Sequence, residues 1–454
     1  MRAPPRGWRR VALVLSAVAL LVLAAVAVPG PDEDDDRTLR LAIAVDVTAA
    51  ADGTGGVYRE LVSEWEDDHP GWTVEVDVLS PEADEQRAQM AVDLQSSGRG
   101  YDVLRVDNQW IPEFAERGWL EPVDTGADGA MEWNGFLERA RDSVCYEDRS
   151  WAVPFHVDIG LLYYRADWVD PDEVTERMED EGWAGLFSLA EEVRDEHGVP
   201  YGYAGQFGDY EGRAVNGLEL VHGVDGDPFR PADDDVCPTA VGVEGGMEGA
   251  QDVLASAVQD LDVLPDEVLE DTEADTLARF HRGDVVFMRH WPYAIGALRA
   301  RTQDSEEGME WVGWDGAAEG GGPAFGVVGL PAAVLGSQSL AVTTRSPHPE
   351  QAWSLVRAMT GSSAQERLQA ADLLPARSAE YEFDTQNDAD RQYWRALRTT
   401  IEQGRLRPRT PYYPQVSDVL RRYVGTWAGE GSTGASDREA VRDLTCALQG
   451  RVCR

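Results

Sequence analysis

The 454-residue sequence contains no lysine, so all 40 of its basic side chains belong to arginine. The chain therefore has no Walker-type phosphate-binding loop, no Schiff-base lysine and no nucleotide-binding lysine of the protein-kinase kind. The G-x-S-x-G, H-E-x-x-H and EF-hand patterns are also missing, as is a G-x-G-x-x-G after the first predicted strand. These absences count against most enzyme classes and predict no cofactor. They do not exclude a glycosidase, because its pair of carboxylates could come from anywhere among 83 acidic residues.

Positive charge is scarce as well. The 40 arginines stand against 83 Asp and Glu residues, which gives a formal net charge of −43 at pH 7. Nucleic acids need a basic surface to meet their phosphates, so this balance argues against a nucleic-acid partner and equally against docking on anionic lipid. The hydrophobic content of 43% is too high for a disordered chain, and the length allows two or three domains.

The N-terminal segment has the parts of an export signal. Residues 1–10 carry four arginines and no acid, an uncharged apolar run covers residues 11–28, and residues 25–27 (AVA) form a small-x-small cleavage site. We therefore predict a signal peptide over 1–28, followed by an acidic linker over 29–38. The alternative is a retained N-terminal membrane anchor, because an apolar run of about 18 residues can span a bilayer. No cysteine lies near the cut, so a lipoprotein anchor is not expected.

Cysteine is rare, with four residues in the chain. No C-x-x-C is present, so zinc and thioredoxin-like redox sites are not indicated, whereas an exported protein can form disulfides. Cys446 and Cys453 flank six residues and are the first predicted pair. Cys145 and Cys237 are the second pair if the connectivity is local. Four cysteines allow three pairings, so spacing alone leaves the connectivity open.

Short apolar segments alternate with amphipathic ones along the chain. Strands are predicted over 39–45, 73–79, 101–106 and 337–344, and helices over 57–67, 83–97, 348–360 and 417–427. Such alternation is typical of an α/β fold with a parallel sheet, in which ligands bind beyond the carboxyl ends of the strands. That rule places the loops at Asp46, near Ser80 and at Asp107 around one crevice.

Aromatic residues beside isolated polar groups point to a type of ligand. Sugars present apolar C–H faces and a rim of hydroxyls, so their sites combine flat aromatic rings with Asp, Glu, Asn or Arg side chains. Trp291, in the segment MRHWPY, and the pair Tyr412 and Tyr413 have this chemistry. The alternative is core packing, which is the more frequent role of an arbitrary tryptophan.

Seven segments resemble, in family order, the conserved blocks of sugar-specific extracellular solute-binding proteins of ABC importers. They are 107–120 (DNQWIPEFAERGWL), 151–165 (WAVPFHVDIGLLYYR), 206–212 (QFGDYEG), 280–293 (FHRGDVVFMRHWPY), 330–342 (LPAAVLGSQSLAV), 374–377 (LPAR) and 407–415 (RPRTPYYPQ). Each block is weak on its own, but together they span most of the chain. The subgroup that they resemble is the maltose/trehalose-type binding proteins.

The resemblance implies a two-lobed α/β fold of the periplasmic-binding-protein type, in which each lobe is a central β-sheet flanked by helices. A hinge of several crossing strands joins the lobes and lets them close on a ligand. Lobe 1 is expected to comprise residues 39–153 plus 330–375, and lobe 2 residues 154–329 plus 376–454. Carried over position by position, the implied ligand-binding residues are Asp107, Glu211, Trp291, Arg407, Tyr293, Gly336 and Tyr412.

In this scheme Asp107 and Glu211 accept hydrogen bonds from sugar hydroxyls, Arg407 donates them, and Trp291 stacks on a sugar face. The alternative roles are a helix N-cap for Asp107, a turn residue for Glu211 and a surface salt bridge for Arg407. The sequence departs from the family at His290, where Asn is usual, at Ile159, where Thr is usual, and in the loop over 46–56. The identity of the sugar is therefore left open.

The function implied is that of an exported, non-enzymatic, monomeric receptor located outside the cytoplasm, secreted or held at the outer face of the cell membrane. It would capture a mono- or oligosaccharide and present it to the membrane permease of an ABC importer. Two alternatives remain at this point: an exported carbohydrate-active enzyme such as a glycosidase, and a surface sugar sensor or adhesin built on the same lobes.

Overall fold

The computed structural model of the chain describes residues 37–44, 56–123, 131–231, 237, 239–244, 246–299, 309–314, 323–382, 388–429 and 437–453. The strands are β1 (Thr38–Ile43), β2 (Thr73–Val78), β3 (Val103–Asp107), β4 (Cys145–Tyr146), β5 (Arg149–Ser150), β6 (Val153–Ile159), β7 (Leu161–Arg165), β8 (Tyr201–Ala204), β9 (Phe229–Pro231), β10 (Ala240–Val243), β11 (Val285–His290), β12 (Glu310–Trp314), β13 (Ala324–Gly329), β14 (Leu335–Val342) and β15 (Leu374–Pro375). The helices are α1 (Val57–Asp68), α2 (Ala83–Gln95), α3 (Ile111–Glu116), α4 (Glu138–Ser143), α5 (Pro171–His197), α6 (Glu211–Val224), α7 (Glu248–Gln259), α8 (Glu273–Arg282), α9 (Ala294–Arg299), α10 (Pro349–Met359), α11 (Ser362–Ala370), α12 (Asp388–Gln403), α13 (Tyr413–Ala428) and α14 (Asp437–Leu448).

The first lobe is built on a six-stranded sheet with the order β15-β6-β14-β3-β1-β2. Strand β1 pairs in parallel with both β2 and β3, as the alternation of strands and helices predicts. By contrast, β14 and β6 run antiparallel to their neighbours, since both are strands that pass between the lobes. The sheet is therefore mixed: the predicted parallel pairing holds for β1, β2 and β3, and β14, β6 and β15 add antiparallel pairs.

The second lobe is built on a five-stranded sheet with the order β12-β13-β7-β11-β8. Strands β8, β11, β12 and β13 end at the edge where β7 begins, because β7 runs antiparallel to β11 and β13. The residues that follow β11, and the turn between β6 and β7, therefore meet at one edge of this sheet. That edge faces the first lobe.

Three chain segments cross between the lobes and meet side by side. The first is the β6–β7 turn at Gly160, and the second is the β13–β14 connection. The third runs from Gly404 to Arg409 and is bound to the second: Arg405 N donates to Ala333 O and Leu335 N donates to Arg405 O, both at 2.8 Å. A side chain at Gly160 would lie 2.2 Å from Glu219 Oε1, so this close approach requires glycine.

The predicted fold class, a two-lobed α/β protein with a hinge of several crossing segments, is confirmed. The strand and helix predictions match to within a few residues, except that the helix predicted over 417–427 begins at Tyr413. Pro414 occupies its first turn, where a missing N–H costs no hydrogen bond. The lobe boundaries remain a prediction. The predicted signal peptide over 1–28, most of the linker and the loop at Asp46 lie outside the described residues.

Two disulfides connect the four cysteines, as Cys145–Cys237 and Cys446–Cys453. The prediction that the chain carries disulfides is confirmed, and the pairing is the local one named from the sequence. Within the described ranges, no helix is long and apolar enough to cross a membrane.

Candidate functional site

Arg407 ties three chain segments together at the base of the cleft between the lobes. Its Nη1 donates to Glu211 Oε1 at 2.9 Å, and its Nη2 donates to Asp107 Oδ1 at 2.7 Å and to Asn108 Oδ1 at 2.6 Å. Asp107 ends β3 in the first lobe, Glu211 begins α6 in the second, and Arg407 lies in the third crossing segment. Arg407 is only 6% exposed, so its predicted alternative role in a surface salt bridge does not apply.

Arg407 and its buried partner Glu211 shift each other's pKa values. Burial by itself lowers the pKa of Arg407, but Asp107, Tyr413 and Glu211 together more than reverse this, so the pKa lies above its ordinary value. Burial raises the pKa of Glu211, and the Arg407 guanidinium opposes that rise. Both Glu211 oxygens are engaged, because Tyr413 OH donates to Oε1 at 2.6 Å and Ser417 Oγ donates to Oε2 at 2.7 Å. Glu211 therefore orients Arg407, and its own contact with a ligand stays a prediction.

Asp107 is the member of the group that can accept from a ligand. Its side chain makes no capping bond to the short helix that follows, which argues against the predicted alternative role as a helix cap. Arg407 occupies its Oδ1, whereas Oδ2 accepts no hydrogen bond from any residue in the part of the chain that the structure describes. The side chain is 14% exposed, so this oxygen lies at the cleft surface.

Trp291 stands at the cleft edge of the second lobe, directly after β11. The guanidinium of Arg289 lies 3.8 Å from the centroid of its indole ring, and Nε1 donates to Glu273 Oε1 at 3.3 Å. The ring is half-buried. A tryptophan supported on one face and partly open elsewhere has the form of a stacking platform.

The residues beneath Trp291 form a buried polar frame. Arg289 donates to Glu219 through Nε (2.9 Å) and Nη2 (2.7 Å), and its Nη1 donates to Gln206 Oε1 at 3.1 Å. Gln206 in turn donates to Thr276 Oγ1 and to the carbonyl of Arg289. Two parallel bonds between a guanidinium and a carboxylate fix the orientation of both groups, so Trp291 rests on a rigid base.

His290, the departure from the family pattern, belongs to the same frame. Its Nδ1 accepts from Trp291 N at 2.9 Å and its Nε2 faces the Glu273 carbonyl at 3.1 Å, which assigns the proton to Nε2. Burial lowers the pKa of His290, so the ring is neutral. The histidine thus joins the Trp291 backbone to α8 without adding charge to the site.

Asp158 is a candidate site residue that was not singled out from the sequence. It lies beside Gly336 on the paired strand β14, where an added Cβ would meet Asp158 Cβ at 3.1 Å and the Trp291 ring at 3.6 Å. Gly336 therefore has a steric role, since it leaves room between the carboxylate and the indole. The signal was available, because Asp158 begins the DIGLLYYR part of a block already recognised.

A neutral histidine, His156, lies beside Asp158 without a hydrogen bond to it. His156 Nε2 accepts from Tyr58 OH at 3.0 Å and from Arg105 Nη2 at 3.2 Å, which leaves the proton on Nδ1, 3.5 Å from Asp158 Oδ2. Burial lowers the pKa of His156. Removal from water raises the pKa of Asp158 to about 7; Asp107 adds to this rise, while Arg105 and Arg289 oppose it.

Tyr293 and Tyr412, the two remaining predicted residues, differ in how close they lie to Trp291 and Asp158. Tyr293 is close, with its ring 5.1 Å from that of His290 and its pKa raised first by burial and then by Glu273 and Asp158. Tyr412 lies apart: it is 40% exposed, and its ring packs against Gly450 near the C-terminus. Its neighbour Tyr413 is the tyrosine that bonds to Glu211.

The site thus combines a half-buried indole with two carboxylates, Asp107 and Asp158, whose outer surfaces reach the cleft. Their side chains are 14% and 20% exposed. Within the described ranges, no group of three or more His, Cys, Asp or Glu side chains is arranged to hold a metal ion. The arrangement suits a neutral ligand with hydroxyl donors and an apolar face.

The family model that matches the chain covers residues 51–366 and describes the bacterial extracellular solute-binding proteins. The chain belongs to this family. The match contains Asp107, Asp158, Glu211, Trp291 and Gly336, so most of the site falls within it.

Comparisons of sequence and of structure agree with this membership. The chain is 28% identical over 221 residues to a probable ABC transporter-binding protein of Deinococcus radiodurans, a match that covers 48% of each protein. The chain thus spans about half the length of that relative. Its fold is similar to that of maltose-bound MalE3 of T. maritima, with a TM-score of 0.70, 24% identity, and coverage of 91% of this chain and 99% of the other. It is also similar to the maltotriose-binding protein of Thermus thermophilus, with a TM-score of 0.65, 15% identity, and coverage of 91% and 99%.

Proposed function

We propose that this protein is a monomeric, extracytoplasmic sugar receptor. It captures a mono- or oligosaccharide and delivers it to the permease of an ABC importer. The observation that carries the proposal is the pairing of Trp291 with Asp158 across Gly336, at the edge where the lobes meet. An indole platform beside carboxylates matches the apolar face and the hydroxyl rim of a sugar ring. The maltose and maltotriose bound by the two structural relatives add support.

The cleft explains how capture leads to a shape that a permease can recognise. Asp107 and Asp158 lie on strands of the six-stranded sheet, whereas Trp291 follows a strand of the five-stranded sheet. A ligand between them makes contacts with both lobes only when the cleft is closed. Binding therefore shifts the population towards the closed form by the free energy of the contacts that the open form lacks.

The runner-up function, an exported glycosidase, has weaker support. Family and relatives consist of binding proteins, and one of the two cleft carboxylates is tied to Arg407. The two functions separate in one experiment: purified protein is incubated for hours with its bound oligosaccharide, and the sugar is then analysed. We expect intact oligosaccharide, whereas released reducing ends would show an enzyme. A surface sensor would instead bind sugar without stimulating uptake by a reconstituted permease.

We predict that Trp291→Ala weakens sugar binding by at least about 30-fold, since losing a desolvated aromatic anchor commonly costs about 2 kcal/mol. The affinity is measured by calorimetric titration and the free energy of unfolding by denaturant titration. The matched control is Trp353→Ala, another half-buried tryptophan that lies on α10. A fall of about 3–5 kcal/mol in stability with unchanged affinity would instead make Trp291 a core residue.

The raised pKa of Asp158 predicts a pH dependence. The folded-state pKa of about 7 exceeds the unfolded value near 3.9, so the contribution of this group to stability falls as pH rises through that window. Sugar hydroxyls donate to the ionised carboxylate, so affinity should move the other way and rise about 10-fold from pH 6 to pH 8. Calorimetric titration across this range checks the prediction. An Asp158→Asn variant with the same pH profile as the wild type would refute the assignment.

A further inference from the structure

A cavity of about 520 Å³ lies beside α12, apart from the residues described so far. Its walls come from α9 and β12 next to the five-stranded sheet, from α11 and β15 next to the six-stranded sheet, and from α12 itself. Asp107, Asp158 and Trp291 are not among the residues that line it. A space of this volume can enclose a small organic ligand. We call it the α12 cavity.

Three aromatic rings form one side of the α12 cavity. The ring of Tyr393 lies 5.4 Å from that of Trp311, at 88°, and 5.3 Å from that of Trp394, at 66°. Trp311 and Trp394 are half-buried, so part of each indole stays accessible. The face of an aromatic ring is the negative side of its quadrupole, and several such rings around one space can recognise a quaternary ammonium group.

Three carboxylates line the same cavity, those of Glu366, Asp372 and Glu380. In the part of the chain that the structure describes, none of these side chains makes a hydrogen bond or an ion pair. Arg299 also lines the cavity, and it forms no ion pair with them. The walls therefore carry an excess of negative charge that the described residues do not neutralise.

Other partly buried acids of this chain are treated differently. Asp271 pairs with Arg279 at 3.0 Å, and Glu113 pairs with Arg87 at the same distance. Arginine is thus the usual partner of such a carboxylate in this protein. Its absence from the three cavity carboxylates leaves them available to a cation that is not part of the chain.

The cavity carboxylates also act on each other and on the rings. Burial raises the pKa of Glu380, the Glu366 carboxylate raises it further, and Arg377 opposes the rise. Burial likewise raises the pKa of Tyr393, and the Asp372 carboxylate adds to that rise, which places this carboxylate close to the aromatic side. A positive charge that entered the cavity would be attracted by carboxylates and ring faces together.

The spread of the carboxylates indicates what kind of cation fits. Among the described residues, no three His, Cys, Asp or Glu side chains converge closely enough to hold a metal ion. Acids that are distributed around a wide space, beside aromatic faces, suit a larger cation instead. Such a cation contacts the rings with its alkyl groups and needs no direct coordination by oxygen.

We propose that the α12 cavity binds a small organic cation, a quaternary ammonium or a protonated amine. The cationic group lies against the faces of Trp311 and Trp394, and the three carboxylates surround it. This inference goes beyond the proposed sugar receptor and does not rest on it, because the two sites share no lining residue that either argument uses.

The test is calorimetric titration of choline, tetramethylammonium and ethanolamine into the wild-type protein at constant ionic strength. Dimethylbutanol, the uncharged carbon isostere of choline, is the ligand control. We expect the cation that binds best to bind at least about 10-fold more tightly than dimethylbutanol, because rings and carboxylates both act on its charge.

Two variants locate the binding. Trp394→Ala and Asp372→Asn should each weaken binding of that cation by about 5-fold or more, whereas Trp353→Ala should leave it unchanged. Asp372 has a left-handed backbone (φ 59°), which asparagine also adopts, so Asp372→Asn removes the charge without straining the chain. Denaturant titration verifies that each variant is folded.

Selective binding of a cation that weakens in either variant supports the proposal. Three results would each overturn it: no binding of any of the three cations, equally tight binding of dimethylbutanol, or unchanged affinity in both variants. The sugar receptor proposal stands or falls separately, because it is tested with saccharides and with Trp291→Ala.

Discussion

Arg407→Met is expected to lower the free energy of unfolding by about 3–5 kcal/mol, which denaturant titration measures directly. The variant leaves Asp107 and Glu211 as carboxylates that have lost their cation in a buried setting, and an unpaired buried charge costs far more than an exposed one. The same variant should bind sugar much more weakly, because Arg407 fixes the position of the Asp107 carboxylate.

Two further variants make this prediction specific. Arg407→Lys keeps the charge but supplies a single ammonium where a planar guanidinium now serves three oxygen atoms, so it should recover only part of the loss. Arg398→Met removes a half-buried surface arginine that pairs with the more exposed Glu382 and Glu402, and should cost at most about 1 kcal/mol. A loss below 1 kcal/mol for Arg407→Met would mean that the cluster gives no net stabilisation.

Most strands and helices could be predicted from the sequence, because local residue patterns determine them. The apolar alternation of residues 73–79 and the helical spacing of residues 57–67 describe single elements, and each depends on neighbours along the chain. The antiparallel placement of β14 and β6 was not accessible in this way. It depends on the chain having already crossed to the second lobe, and no local pattern reports such a crossing.

The site was predicted in part. Asp107, Glu211 and Arg407 were named as separate sugar contacts, whereas the structure bonds them to one another, which gives Glu211 a positioning role. Sequence position cannot reveal that three side chains some 100 to 300 residues apart share their hydrogen bonds. Aromatic content likewise did not distinguish Tyr412 from Tyr413. The distinction comes from α13, whose first residue, Tyr413, points towards Glu211 while Tyr412 stays outside.

The Cys145–Cys237 disulfide adds a covalent link between parts of the chain that belong to different lobes. Cys145 begins β4, which packs against α3 at the first sheet. Cys237 stands just before β10, which packs against α14 of the second lobe. The link runs beside the third crossing segment, where Ala240 N donates to Arg409 O at 2.8 Å. It therefore lies near the hinge, and we expect it to limit how far the lobes separate.

Replacing both Cys145 and Cys237 by serine is expected to lower the free energy of unfolding by up to about 4–5 kcal/mol, because the bond closes a loop with a sequence separation of 92. The matched control, Cys446→Ser with Cys453→Ser, opens a loop of separation 7 and should cost about 2 kcal/mol. Only the loss of the Cys145–Cys237 bond should also change how far the lobes open. Without ligand, small-angle scattering should show a larger radius of gyration, since a hinge without the tether populates more open forms. Sugar affinity should fall with it, because closure then loses more conformational entropy. If both double variants lose similar stability and scatter alike, the disulfide braces the chain locally and exerts no control over opening.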